Sequence, residues 1–351
     1  MWKYDKMYEP LEKFIGTPLS EDQKANIRVR EKNGMYLYNY GNVVIVPRND
    51  PVIMKCRGLV LDKEGGVLNY PFDRFFNPHE KEAGELDWDT AIVKEKVDGS
   101  LICVFWNGKC WEITTRGSFY PQPLADFDFA EKFKELFTEF DKLDKGYCYM
   151  FEMCSEMNRI VTWYDREFVS LIGIRDLVSL NELPTLLILD IATELDVESP
   201  KLYNVKDLAS CIKMFEAFSD DEEGFVVVDE NMNRLKIKQD SYLALSKIKM
   251  LKEDDLLDYV RGKLELDGEL LQKDEKTAEK IEEVKKKWDN MNDFIEGTFH
   301  ELNKLETRKE FALSSLKFPF SKFLFAMKDN KNIRDIRLTY EEMEKWKSQL
   351  P

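Results

Sequence analysis

Residues 91–105 read Ala91-Ile92-Val93-Lys94-Glu95-Lys96-Val97-Asp98-Gly99-Ser100-Leu101-Ile102-Cys103-Val104-Phe105. The apolar runs at its two ends have the length and composition of strands. Lys96-Val97-Asp98-Gly99-Ser100 is then a turn between them. A lysine fixed on such a turn, beside a carboxylate and a glycine, has the setting of an amine nucleophile. Its amine is ordinarily protonated and inert, and attacks only where burial or nearby positive charge lowers its pKa. Such a lysine also needs phosphate-binding and metal-organising groups around it.

Outward from that turn, residues 35 to about 240 carry short alternating runs. Strands are predicted at Met35–Tyr40, Val43–Pro47, Gly58–Asp62, Ile92–Lys96, Leu101–Trp106, Trp111–Thr115, Tyr147–Glu152, Phe168–Arg175, Gly224–Val228 and Arg234–Lys238. Gly, Asn and Asp punctuate them, as in Trp106-Asn107-Gly108-Lys109. Residues 1–31 read as helical, and further helices are predicted at 126–141 and near 205–218. After about Tyr242 the texture turns helical again. Ile281, Val284, Trp288, Met291, Phe294 and Ile295 recur at three- and four-residue steps, an amphipathic stripe. The expected fold is α+β: a mostly antiparallel domain over 1–242, then an all-helical domain over 243–351.

Composition narrows the function classes. Of 351 residues, 43% are hydrophobic and 34% charged, a globular balance. No window has the apolar length of a membrane span. Met1-Trp2-Lys3-Tyr4-Asp5 lacks the apolar core of a signal peptide. Six cysteines form no CxxC pair, and only two histidines, His79 and His300, are present. The chain therefore reads as a cytosolic protein with reduced thiols, without a membrane partner and without a His-based site. The net charge of −15 argues against nonspecific coating of nucleic acid. It leaves room for a local basic cleft that grips one nucleic-acid end. The charge is uneven: residues 1–240 hold 30 basic and 44 acidic side chains, and residues 241–351 hold 22 and 23.

Four further clusters carry chemistry. Arg57-Gly58, with Asp73-Arg74-Phe75-Phe76-Asn77, offers two guanidinium forks for phosphate. Glu152 ends an aromatic strand, where a carboxylate must be paired or bonded. Asp221-Glu222-Glu223 precedes Gly224 and an apolar strand, and clustered carboxylates repel unless a cation sits among them. In Arg234-Leu235-Lys236-Ile237-Lys238, strand alternation aims Lys236 and Lys238 at one face, a phosphate clamp that would also depress a neighbouring lysine's pKa. Taken alone, each has a plainer reading: surface arginines, a structural salt bridge, a solvated acidic turn, a half-exposed strand.

The order of these elements resembles the covalent nucleotidyltransferases, the polynucleotide ligases and mRNA capping enzymes. Tyr38-Asn39-Tyr40, Cys56-Arg57-Gly58, Phe75-Phe76-Asn77, Lys96–Leu101, Arg116-Gly117-Ser118, Phe151-Glu152, Asn158–Val161, Glu223–Val226 and Lys236–Tyr242 are similar to motifs of the phage-type RNA ligase 1 family. The resemblance covers about residues 35–245. It implies that Lys96 takes AMP from ATP as a phosphoramide, that Glu152 holds the ribose, and that Lys236 and Lys238 contact the α-phosphate. Asp98, Glu152 and Glu223 would fix waters around Mg²⁺ or Mn²⁺. Tyr242 would stack on adenine, while Arg57, Arg74 and Tyr38 would face the triphosphate. Arg74 and Arg116 stand where the family usually has lysine.

The implied activity is ATP-dependent sealing of RNA 5′-phosphate and 3′-hydroxyl ends. The implied substrates extend to a cleaved tRNA anticodon loop, and an end-healing kinase-phosphatase is an implied functional companion. Two other readings compete. A DNA ligase or capping enzyme usually appends a small barrel after the K-x-K strand, and the helical tail here disfavours it. A non-catalytic RNA-binding relative would need a broken site. In the tail, Lys317, Lys322, Lys328, Lys331, Arg334 and Arg337 interleave with Phe318, Phe320, Phe323 and Phe325, a pattern suited to looped RNA. Lys328, Lys331 and Arg334 are the candidate RNA contacts. The plainer reading makes the phenylalanines core and the lysines a solvated face.

Overall fold

The computed structural model describes residues 6–41, 45–119, 128–266, 268, 271 and 274–347. The chain separates into two compact units, Met1–Tyr242 and Leu243–Pro351.

The first unit holds three four-stranded sheets, and every strand pairing in them is antiparallel. β1 (Ile27–Lys32), β2 (Met35–Tyr40), β3 (Arg57–Asp62) and β4 (Val67–Asn69) form a meander. Asn33 and Gly34, both at positive φ, make the two-residue turn that joins β1 to β2. Residues 27–31 are therefore strand rather than the helix expected through 31; helices stop at Ile15 and Asn26. The β-branched Ile27 and Val29 pack against the β2–β3 core, and tertiary pairing overrides the local helical spacing. Of the strand expected at Val43–Pro47, residues 43 and 44 lie outside the described residues, and 45–47 form no strand.

The second sheet runs β10 (Leu202–Tyr203), β5 (Ile92–Glu95), β11 (Gly224–Val228), β12 (Arg234–Lys238). The third runs β7 (Trp111–Thr115), β6 (Ser100–Trp106), β8 (Tyr147–Cys154), β9 (Phe168–Asp176). Helices Phe129–Leu136 and Thr185–Glu194 supply Phe133 and Ile188 to the core on this third sheet. The expected helix at 126–141 is thus shorter, followed by a single tight turn at Phe140–Lys142; positions 126 and 127 lie outside the described residues. Near 205–218 the helix spans Leu208–Met214.

Lys96–Gly99 is where the chain leaves the second sheet and enters the third, so the turn is held from both sides. The Lys96 N–H donates to the Gly224 carbonyl at 2.9 Å. A Cβ on Gly99 would lie 2.4 Å from the Met153 carbonyl oxygen, so backbone contact with β8 demands glycine there. Gly224, at φ +129°, leaves no room either: its Cβ would meet the Ile237 oxygen at 2.1 Å. Gly224→Ala should destabilise the protein by about 3 kcal/mol or more, combining backbone strain with a clash. Chemical denaturation checks this, and a loss under about 1 kcal/mol would refute the packing argument.

The regular structure described in the second unit is helical, including Glu253–Val260, Glu275–Leu302, Arg308–Ser315, Ser321–Lys328 and Tyr340–Lys347. Ile281, Val284, Trp288, Met291 and Ile295 of the long helix are buried, the stripe read from the sequence. Arg261 is buried with them. Its Nη2 donates to the carbonyls of Ile333, Arg334 and Ile336, and its guanidinium lies 4.8 Å from the Trp288 ring centre. All six cysteines are free thiols. Among the described residues no helix is long and apolar enough to cross a membrane.

Candidate active site

Register does the first part of the assembly. Gly224 pairs with Lys238 and Val226 with both Lys236 and Lys94. This places Glu223, at the head of β11, beside the lysine that ends β12 and the lysine that follows β5. Glu223 is 3% exposed and bridges the two cations: Oε2 sits 2.6 Å from the Lys96 amine and Oε1 2.5 Å from the Lys238 amine. The acidic triplet at 221–223 thus separates. Asp221 accepts from the Trp163 N–H and the Ser219 hydroxyl, and Glu223 alone reaches the lysines.

The electrostatics of Lys96 reverse the sequence expectation. Burial works against its charge, but Glu223, Glu152 and Asp98 overcome it and hold the amine's pKa above that of a free lysine. The carboxylates around the amine outweigh any depression by the clamp. Lys236 behaves differently: burial, then Lys238, pushes it down to about 8. Glu152, on β8 opposite Leu101, is pushed up to about 7, mainly by burial, with Lys96 and Arg57 opposing.

Asp98, Tyr242 and Tyr38 are each engaged within the fold. Asp98 is buried and its carboxylate is committed. Oδ2 accepts from the Val161 and Thr162 N–H groups, both at 2.8 Å, and Oδ1 accepts from the Tyr242 hydroxyl at 2.8 Å. Tyr242 itself is 2% exposed, so its ring presents no open face to a base. Tyr38 is fully buried and donates to the Met7 carbonyl; it faces the amino-terminal core. It shares that face of β2 with Tyr36 and Tyr40, and the extra residue at the irregularity between Tyr38 and Asn39 is Gly58 of β3, at φ +95°. Beyond it, Tyr40 lies between two arginines: Arg74 stands 4.4 Å from its ring centre and Arg116 5.1 Å. The two positions where lysine is usual are thus tied together by one aromatic ring, which sequence spacing alone does not show.

A cavity of about 60 Å³ lies on one side of Lys96, lined by Arg57, Phe75, Lys94, Glu152 and Arg234 among others. The buried Nη1 of Arg57 has no hydrogen-bond partner among the described residues. At the back, Glu182 joins Arg175 at 2.7 Å and Arg234 at 2.6 Å. Beside them Lys94 is 6% exposed, and burial followed by Arg234 pushes its pKa down to about 7. This cluster was not found by sequence reasoning, since nothing marks Glu182 as a partner of Arg234, 52 positions away.

The Lys94 shift fixes a sign. Between pH 7 and the ordinary lysine range the unfolded chain binds a proton that the folded chain lacks, so this group's contribution to stability rises with pH. Below about pH 7 the full cost of the buried charge remains. Lys94→Met should therefore raise the melting temperature more at pH 6 than at pH 9. Equal shifts at both would show that Lys94 is not buried as a base.

In the second unit the interleaved aromatics are core: Phe320 and Phe323 are buried and Phe318 and Phe325 pack against them. Lys328 donates to Asn303 and lies over Phe311. Lys331 and Arg334 are exposed. The phenylalanines are therefore no stacking platform.

A lysine on a sheet-to-sheet turn, a bridging glutamate and a K-x-K strand, on three antiparallel sheets, define a nucleotidyltransferase fold. A 16% identical solved structure, an archaeal ATP-dependent RNA ligase, superimposes with a TM-score of 0.50 over 80% of this chain and 78% of its own. The RNA ligase family model matches residues 55–249. The chain is 24% identical to an RNA ligase of Rhodothermus phage RM378, over 88% of both proteins. It is 30% identical over 65% of its length to a protein of Autographa californica nuclear polyhedrosis virus named as a bifunctional polynucleotide kinase/RNA ligase. It spans 36% of that viral protein's length. The chain belongs to the RNA ligase family.

Proposed function

We propose that the protein seals RNA ends with ATP through a lysyl-AMP intermediate. The observation that carries this is the Lys96–Glu223–Lys238 bridge inside the cleft. The Lys96 nitrogen attacks the α-phosphorus of ATP, an N–P bond forms, and the P–O bond to pyrophosphate breaks. Lys96 must first lose a proton and its ion pair, and Glu223 governs both. Lys236 and Lys238 lie on one face of β12, suited to charge on the α-phosphate. An RNA 5′-phosphate oxygen then displaces Lys96 from the AMP phosphorus. A 3′-hydroxyl finally attacks the 5′-phosphorus and releases AMP. In-line positioning and charge stabilisation supply most of the acceleration.

A divalent cation, Mg²⁺ or Mn²⁺, would neutralise the phosphates when bound. The donor set fits one held largely through water and substrate phosphates. Glu223 and Glu152 are the residues to hold it; among the described residues no group of three or more His, Cys, Asp or Glu side chains forms an all-protein cage. The Asp98 carboxylate is occupied by its own hydrogen bonds.

The test is joining of 5′-phosphorylated single-stranded RNA with ATP, read as a phosphatase-resistant product, beside matched DNA and GTP. RNA product from ATP supports the reading. No RNA-adenylate and no product would overturn it, and GTP labelling would move it to a capping-type enzyme. The helical second unit favours the RNA ligase over DNA ligase and capping readings. A cleaved tRNA anticodon loop is one substrate to test among RNAs with 5′-phosphate and 3′-hydroxyl ends, and the viral relative's name supports a functional partnership with an end-healing kinase. Charge reversal of Lys331 and Arg334, with Lys328, should weaken joining of a nicked stem-loop several-fold while lysyl-AMP formation continues. Unchanged joining would remove these residues from RNA binding.

A further inference from the structure

A second cavity opens on Lys96, with a volume of about 710 Å³. Among the described residues that line it are five cations, Arg28, Arg30, Arg57, Lys96 and Arg116, and one carboxylate, Glu152. That excess stands out in a chain of net charge −15. Lys236 and Lys238 contribute nothing to this cavity; it runs past Gly99 and Ser100 towards β1. Strand alternation puts Arg28, Arg30 and Lys32 on one face of β1. Lys32 is neutralised by Glu112 at 2.8 Å. Arg30 donates only to the Ser118 hydroxyl, at 3.1 Å, and Arg28 has no ion-pair partner among the described residues. Both side chains are exposed.

Two buried polar atoms of lining residues have no partner among the described residues: the Arg57 Nη1 donor and the Asn39 Oδ1 acceptor. Both lie beneath the surface of the cavity, polar groups that the described fold leaves unpaired. Arg28 and Arg30 are spaced about 6.6 Å along the strand, two residues at ~3.3 Å each. That is of the same order as the step between successive phosphates of an extended strand. Ile160 adds an apolar edge to the lining.

We infer that Arg28 and Arg30 form a backbone-binding wall for the RNA strand presented to Lys96, gripping successive phosphates. This deepens, and rests on, the reading of the chain as an RNA ligase. It assigns a role to β1, a strand that carries no nucleotidyltransferase motif. The residues position RNA through phosphate contacts and do not read bases.

The experiment compares wild type with Arg28→Gln/Arg30→Gln in the full chain. Affinity for a short fluorescent 5′-phosphorylated single-stranded RNA is measured by anisotropy across a salt series, and Lys96 labelling from α-labelled ATP is measured in parallel. RNA affinity should fall by about tenfold or more, and the log–log salt slope should shrink by about 1.4, roughly 0.7 for each phosphate no longer neutralised. Labelling of Lys96 should fall far less than RNA affinity. Arg28→Lys/Arg30→Lys should restore most of the slope, which separates missing charge from misfolding. Unchanged RNA affinity and slope would overturn the proposal, as would labelling that falls as steeply as RNA affinity, since the wall would then serve the triphosphate. A wild type that takes no label from ATP defeats the ligase reading, and the RNA arm still decides the wall.

Discussion

Lys96→Ala should abolish covalent labelling of the protein by α-labelled ATP, with label on the wild type surviving denaturing electrophoresis. Other groups cannot substitute. Lys238 shares Glu223 with Lys96 but lies on a different strand, and Lys94 is buried against the Ile172 carbonyl with its amine 3.3 Å from that oxygen. A missing nucleophile removes the step itself, so the expected loss is complete, unlike the roughly 10²–10³-fold loss from one missing charge-stabilising donor. The variant should fold. Removing Lys96 leaves Glu223 paired with Lys238, so no buried charge is abandoned. Residual label above background would place the nucleophile elsewhere. Joining of RNA that already carries a 5′-adenylate should survive better than joining that starts from ATP, because only the first step consumes the Lys96 lone pair.

Asp98→Ala should be the most damaging change that leaves the nucleophile in place, and its damage should be structural. Three donors lose their acceptor: the Val161 and Thr162 N–H groups and the Tyr242 hydroxyl. Orphaning buried donors costs about 1–3 kcal/mol each, so a combined loss of about 3 kcal/mol or more is expected. At ~2–4 °C per kcal/mol this is a melting-temperature drop of about 6–12 °C. Lysyl-AMP formation should fall with it. The competing view, in which Asp98 serves a metal through water, predicts lost activity at unchanged stability, with partial rescue by excess Mg²⁺ or Mn²⁺. Differential scanning calorimetry together with a metal titration separates the two. An unchanged melting temperature would sink the bracing role.

The parts of the site legible in the sequence were those whose geometry follows from strand period alone. Lys236 and Lys238 had to share a face once Leu235 and Ile237 were buried. The Glu223–Gly224 step had to sit at a strand head. The burial of Tyr38 follows the same period, since Tyr36, Tyr38 and Tyr40 share one face of β2, but which face meets the amino-terminal core depends on helices and sheet packing that spacing alone does not give. Asp98 and Tyr242 are 144 positions apart, and their hydrogen bond depends on how two sheets and a helix start meet. The Lys94–Glu182–Arg234 cluster was invisible for the same reason. In the second unit the stripe along Glu275–Leu302 was plain, whereas Phe320 and Phe323 could be placed only once helix packing was known.

The bridge through Glu223 has a consequence for the life of the protein between encounters with nucleotide. An amine held as its conjugate acid has no free lone pair, so aldehydes, acyl phosphates and other small electrophiles find Lys96 unreactive while the bridge is closed. On the proposed lysyl-AMP reading, the lysine that attacks ATP would thereby be chemically quiet at rest. Its reactivity would then depend on opening the Glu223 bridge rather than on the fold alone.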